Sequence, residues 1–142
     1  MDHSNQRDQL REFYYNSWKK HQQQKQQLSP LEQQIVAIIK EHPEYHKVLE
    51  DKETCLNATY LPEMGDTNPF LHLSMHIGLR EQVQTDRPAG IAELYQRLVA
   101  QKGIHEAEHA MMECLGEMIW RAQQTQKLPD ELTYLDCLGK IK

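Results

Sequence analysis

The chain has 142 residues, 16 Lys and Arg against 21 Asp and Glu, a formal net charge of -5, and 39% hydrophobic residues. This length predicts one domain over residues 1–142, large enough to bury a core without disulfides. The acidic balance, and the lack of any Lys/Arg cluster interleaved with aromatics, argue against nucleic-acid binding. No apolar run approaches the length of about 20 residues that a membrane span needs, and the N-terminus has no apolar signal segment. We therefore expect a soluble cytoplasmic protein without membrane contact.

The N-terminal part is predicted to form two helices and a short third one. The first runs from about residue 7 to residue 24 and ends in a Gln-rich linker. The string SPLE at residues 29–32 starts the second, because Ser as N-cap, Pro at the first helical position and Glu three residues after the cap form a capping box. The second helix should end near Glu41, since the next residue precedes Pro43. A short helix over PEYHKVLED follows.

Residues 52–67 are predicted to form a long surface loop. Asn68 as N-cap and Pro69 as first helical residue then start a helix that reaches about Thr85. Three further helices are predicted over residues 88–101, 104–124 and 129–138, with Gly103 as a stop between the first two of them. No alternating strand pattern is present, so the predicted class is all-α, a compact bundle of about five to six helices.

Three cysteines, Cys55, Cys114 and Cys137, lie far apart and form no CxxC motif. An odd and widely spaced set favours reduced thiols and argues against a thiolate zinc cluster. Any metal is therefore expected on nitrogen and oxygen ligands.

Six of the eight histidines form three pairs spaced four residues apart, namely His42 with His46, His72 with His76, and His105 with His109. In a helix this spacing puts two imidazoles on one face, one turn apart, where they can bind one metal ion or two adjacent ions. His72 and His76 lie in the middle of the apolar arc of their helix and are expected to face the core. Pro43 interrupts the helix between His42 and His46, so the geometry of that pair is not assured.

Carboxylates near these histidines complete a candidate metal site. Glu108 lies within the apolar arc of its helix and Glu106 at the margin, so only one of them should be buried. A buried carboxylate needs a cation, a metal or hydrogen bonds. Glu113 follows His109 by four residues, and Glu32 projects into an apolar arc although it also completes the cap. The predicted metal ligands are His72, His76, His105, His109, Glu108, Glu113, His46, His42 and Glu32, with iron or zinc as the metal.

The same histidines also allow a metal-free alternative. Each ring can donate to a backbone carbonyl or a tyrosine hydroxyl in a core hydrogen-bond network. The exposed aromatics of the first helix would then dock a protein partner or a second copy of the chain. Those aromatics are Phe13, Tyr14, Tyr15 and Trp18. The sequence leaves open whether the protein is an enzyme, and the catalytic residues and the substrate are unknown.

The strings RDQLREFYYNSWKK, EHPEYH, NPFLHLSMH and HEAEHAMMECLGEMIW resemble a bacterial family of short helical proteins known as domain of unknown function 1841. The resemblance covers nearly the whole chain. It implies an all-helical, cytoplasmic bacterial protein, and it carries no assigned reaction.

A looser likeness concerns hemerythrin-type and ferritin-like bundles, which hold two irons with His and Glu from antiparallel helices. HxxxH at His72 and HxxxE at His109 are similar to hemerythrin spacings, with His42 or His46 in place of its isolated histidine. The likeness implies a non-haem di-iron centre for oxygen, peroxide or small-ligand chemistry, whereas a single zinc would be structural if closed and hydrolytic if open. The two motifs occur in the reverse of hemerythrin order, and only Glu106 has the ExxH spacing of ferritin-like sites.

Overall fold

The computed structural model describes residues 3–24, 27–61 and 67–142, and for residues 3–5 it describes the backbone alone. These residues form eight α-helices, one 3-10 turn at Pro43–Tyr45 and no strand. The helices are α1 (His3–Gln23), α2 (Pro30–Lys40), α3 (His46–Glu50), α4 (Lys52–Asn57), α5 (Pro69–Thr85), α6 (Ile91–Lys102), α7 (Ile104–Thr125) and α8 (Glu131–Gly139). The all-α class is confirmed, and the predicted number of five to six helices is wrong.

The chain divides into two compact units, residues 1–74 and residues 75–142, which we call the first and second unit. The boundary falls inside α5, so this helix begins in the first unit and ends in the second. One domain over the whole chain stays a prediction.

In the first unit α1 packs against α2, α3 and α4. Helix α2 begins at the predicted capping box, since the Ser29 hydroxyl accepts from the Glu32 backbone N–H and the Glu32 carboxylate accepts from the Ser29 backbone N–H. The buried apolar side chains of this unit are Tyr14, Trp18, Ile35, Val36, Ile38, Ile39, Leu49, Cys55, Phe70 and Leu73. The capping box therefore sets the start of a helix whose apolar face supplies much of this core.

Two of the four aromatic residues expected to form a docking face on α1 are buried. Tyr14 is 2% exposed and Trp18 is 5% exposed, because both pack inside the first unit, and Trp18 lies against the His46 ring at 4.7 Å between centroids. Phe13 is 38% exposed and Tyr15 is partly exposed. A partner surface on α1 would therefore lack two of its four expected aromatic residues.

Helix α4 occupies part of the segment that the sequence predicts as a loop. Its C-terminal end is capped by Arg11 of α1, whose guanidinium is buried and donates to the carbonyl of Ala58 at 2.8 Å. Arg11 also lies over the Phe70 ring, 4.6 Å from its centroid. A cation at a helix C-terminus satisfies carbonyls that have no partner within the helix. The parts of the predicted linker and loop at residues 25–26 and 62–66 lie outside the described residues.

In the second unit α7 packs against both α6 and α8. Gly103 separates α6 from α7 with a φ of 87°, a conformation that suits glycine, as expected for the predicted stop. The core contains Leu79, Ile91, Leu98, Met111, Tyr134 and Leu138. Trp120 on α7 is 59% exposed. Among the described residues, no helix is both long enough and apolar enough to cross a membrane.

The expectation of three reduced thiols is wrong for two of them. Cys114 on α7 and Cys137 on α8 form a disulfide with their Cα atoms 5.8 Å apart, because the packing of α8 on α7 brings them together across 23 residues of sequence. Cys55 is a free, buried thiol in the first unit.

Candidate metal centre

In the first unit His42 and His72 face each other through ring nitrogens. His42 follows α2 and is 1% exposed, and its Nδ1–H donates to the carbonyl of Ile38 at 2.8 Å. Because a carbonyl only accepts, this bond places the proton on Nδ1 and the lone pair of the neutral ring on Nε2. That Nε2 lies 3.2 Å from Nε2 of His72, which is on α5. The two atoms are therefore positioned either for one hydrogen bond or for one shared ion.

Two other predicted ligands of the first unit have different partners. The Nε2–H of His46 donates to the carbonyl of Ile39 at 2.8 Å, so this ring closes the end of α2. The carboxylate of Glu32 binds Lys20 Nζ at 2.8 Å as well as the capping N–H. Lys20, followed by the Ser29 N–H, holds the pKa of Glu32 below its usual range. Both residues thus stabilise the ends of α2.

In the second unit Glu108 is the centre of a buried hydrogen-bond network. Glu108 is 0% exposed, and Glu106 on the same helix is exposed, which confirms that only one of the two is buried. Oε1 of Glu108 accepts from His76 Nδ1 at 2.8 Å, and Oε2 accepts from the Tyr95 hydroxyl at 2.7 Å. Arg80 donates to both oxygens, from Nε at 2.9 Å and from Nη2 at 3.1 Å. Four donors therefore occupy this carboxylate.

These donors fix the charge of the network. Burial raises the pKa of Glu108, but the hydrogen bonds from His76, Arg80 and Tyr95 outweigh it and hold the pKa at about 2. The carboxylate is therefore ionised at neutral pH and accepts from all of its partners. The bond from His76 Nδ1 leaves the lone pair of the neutral ring on Nε2.

The remaining predicted ligands lie on α7. The His109 ring lies 5.1 Å from the His76 ring between centroids, and a ligand nitrogen of each lies within 4.8 Å of the other. His105 is exposed and its ring packs on His109 at 4.1 Å. Glu113 is exposed. Of these three, His109 is the one whose ring nitrogen approaches His76.

Helix α5 carries both His72 and His76. Asn68 caps its first turn, where Oδ1 accepts from the Phe70 N–H at 2.9 Å, so the helix begins as the sequence predicts. A spacing of four residues on a continuous helix puts the two imidazoles on one face, one turn apart. Each of them also meets a further histidine within its own unit, His42 beside His72 and His109 beside His76.

The residues that sequence reasoning missed are Arg80 and Tyr95. Arg80 follows His76 by four residues, so helical periodicity predicts that it lies on the same face of α5 as the histidines. Tyr95 lies on α6, and nothing in its local sequence points to Glu108. Both are donors that satisfy a buried charge.

The chain matches the family described as "Domain of unknown function (DUF1841)" over residues 6–140. It belongs to the DUF1841 family. No curated protein and no solved structure matches it. The likeness of its histidine spacings to hemerythrin therefore stays a prediction, as do the bacterial origin and the cytoplasmic location.

Proposed function

We propose that this DUF1841 protein binds one transition-metal ion, zinc or iron(II), through His42 and His72 of its first unit. The observation that carries the proposal is the 3.2 Å separation of Nε2 of His42 and Nε2 of His72. Two nitrogens bound to one tetrahedral zinc at about 2.0–2.1 Å lie about 3.3 Å apart. The separation in the first unit is therefore the one that two ligands of a single ion require.

The hydrogen bonds of the other ring nitrogens support this assignment. Metal-binding histidines commonly donate their second ring N–H to a backbone carbonyl or a carboxylate, which fixes the tautomer and the ring orientation. His42 donates to the Ile38 carbonyl. This ring is therefore held with Nε2 as the metal-binding atom.

The hydrogen bonds of Glu108 argue against this residue as a ligand. Its oxygens accept four hydrogen bonds from His76, Arg80 and Tyr95, so a metal would have to displace them. Glu113 is exposed, and Glu32 binds Lys20. An all-imidazole ligand set suits zinc or iron(II), whereas a di-iron centre needs bridging carboxylates. We therefore favour a single ion over the di-iron centre that the hemerythrin-like spacing suggests.

The alternative is a metal-free interaction protein whose histidines form a core network. It is favoured by the same 3.2 Å contact, since a hydrogen bond from His72 to the lone pair of His42 has the same length. In that case the network stabilises the fold, and function depends on a surface.

Metal analysis of protein purified without a His-tag separates the two. A metal protein should contain about one equivalent of zinc or iron after buffer exchange, and chelation should lower its melting temperature. His42→Gln and His72→Gln should each lose most of the metal. His21→Gln, which changes a histidine of α1 outside the group, is the matched control and should retain it. Binding of less than about a tenth of an equivalent after reconstitution, with a chelator-insensitive melting temperature, would establish the metal-free alternative.

A further inference from the structure

The disulfide of the second unit is partly exposed to solvent at Cys137. Cys114 is 5% exposed, whereas Cys137 is partly exposed. Both line a cavity of about 750 Å³ formed by the C-terminal half of α7, the following turn and α8. Cavities of about 300–1,000 Å³ hold small organic molecules. The disulfide therefore borders a cavity of the size that a small organic thiol occupies.

The charges of this cavity favour a zwitterionic ligand. Positive charge comes from Arg121, Lys127 and Lys140, and negative charge comes from Glu117, Asp130 and Asp136. Arg121 is paired with Glu117 at 2.7 Å and Lys140 with Asp136 at 3.0 Å, and all four of these side chains are more than half exposed. Such exposed ion pairs contribute little to stability, so a ligand carrying carboxylates and an ammonium group can replace them at low cost.

Helix α8 has contacts that do not depend on the disulfide. Tyr134 and Leu138 are 1% and 0% exposed in the core of the second unit. The Tyr134 hydroxyl also donates to Gln82 Oε1 at 2.7 Å. These contacts hold α8 in place when the S–S bond opens, so exchange at the disulfide is compatible with the folded state.

We propose that Cys137 is a thiol-exchange site for a small zwitterionic thiol of the glutathione class. A ligand thiolate attacks Cys137 Sγ, the bond between Cys137 and Cys114 breaks, and a mixed disulfide forms on Cys137. The electron pair of the broken bond leaves on Cys114 Sγ, which takes a proton from water. A second ligand thiolate attacks the ligand sulfur of the mixed disulfide, and the electron pair of that bond leaves on Cys137 Sγ, which takes a proton from water. Two ligand thiols are thereby oxidised to one ligand disulfide, and the two cysteines are reduced. Attack falls on Cys137 because it is the more exposed residue of the pair.

The test treats the folded wild-type chain with reduced glutathione or with 2-mercaptoethanol, a neutral thiol, followed by acid quenching and peptide mass mapping. We expect the mixed disulfide on Cys137, with glutathione at least about fivefold faster per thiolate than the neutral thiol. Cys55, buried among the residues of the first unit, serves as an internal control and should stay unmodified.

Variants test the site and the ligand class separately. In Cys114→Ser, oxidised glutathione should modify Cys137 at least about tenfold faster than it modifies Cys114 in Cys137→Ser. Combined Arg121→Ala and Lys127→Ala should slow glutathione at least about threefold and leave the neutral thiol unchanged, with Lys47→Ala of α3 as control. Circular dichroism verifies that each variant folds.

Reaction only in denaturant, or preferential attack on Cys114, would overturn the exchange site. Equal rates for the two thiols on the wild-type chain would overturn the ligand class. The site of modification and the rate ratio of the two thiols are both measured on the wild-type chain, so neither depends on whether a variant folds.

Discussion

The Nδ1–H of His76 donates a hydrogen bond of 2.8 Å to Glu108 Oε1, and both side chains are 1% exposed. A buried carboxylate needs hydrogen-bond donors at both of its oxygens, and Arg80 and Tyr95 supply the donors besides His76. The pair therefore fixes the orientation of one imidazole and the charge state of the interior beside it. Metal-bound or metal-free, the second unit depends on this contact.

Glu108→Gln should lower the free energy of unfolding by about 2–4 kcal/mol, because it removes the buried charge that pairs with Arg80 and weakens the hydrogen bond from His76. Glu106→Gln, a matched change two residues away on an exposed position, should stay within about 0.5 kcal/mol of wild type. Urea unfolding followed by circular dichroism measures both. Equal, small effects would contradict the buried network.

The ion pair of Lys20 with Glu32 should make stability depend on acid pH. Because the pKa of Glu32 is lowered in the folded state, its contribution is fully present above the unfolded pKa of about 4.3 and is lost as pH falls through the folded pKa. The difference in unfolding free energy between wild type and Glu32→Gln should thus be constant from pH 7 to about 5 and shrink below that. A difference that grows on acidification would contradict the assignment. Glu41→Gln, at an exposed position after α2, is the control.

The thiol of Cys55 should be almost inert in the folded protein. Burial raises its pKa to about 11, and the nearby Arg11 offsets only part of this. Since the thiolate is the reactive form, alkylation by iodoacetamide at pH 8 should be at least about a hundredfold slower than for an unfolded cysteine. Adding guanidinium chloride should restore the ordinary rate. Rapid modification of Cys55 without denaturant would show that the first unit opens locally.

Two glycines should respond to alanine in opposite directions. Gly103 has a φ of 87°, so Gly103→Ala should cost about 1–3 kcal/mol through backbone strain. Gly78 lies inside α5, and a Cβ there meets nothing within 4 Å, so Gly78→Ala should stabilise the protein by about 0.5–1 kcal/mol. Thermal unfolding of the two variants measures this difference, and loss of stability in both would mean that the α5 position is constrained in another way.

The sequence predicted the local features well. The capping box at Ser29 and the Asn68 cap depend on residues within one helical turn, so their side chains identify them. Helix α4 was missed because its end is capped by Arg11, 44 residues from Cys55 in the sequence. Helix periodicity gives the face on which a residue lies, and it gives no partner on another helix.

The same limit explains the candidate site. Helical periodicity in the sequence of α7 correctly predicts that Glu108 is buried and that Glu106 is exposed. It could not identify Tyr95 as a donor or pair Cys114 with Cys137, since both contacts require knowledge of how α6 and α8 pack on α7. His46 was predicted as a ligand from spacing alone, and its Nε2–H donates to the Ile39 carbonyl.

The chain contains two tryptophans, and each unit holds one of them. Trp18 is buried against His46, so it should emit at short wavelength, whereas Trp120 is largely exposed and should emit near the wavelength of water-exposed indole. Trp120→Phe and Trp18→Phe therefore give two versions of the protein in which intrinsic fluorescence follows one half of the chain at a time. Coincident unfolding curves from the two would mean that the halves form one cooperative folding unit, and separate curves would mean that each half unfolds independently.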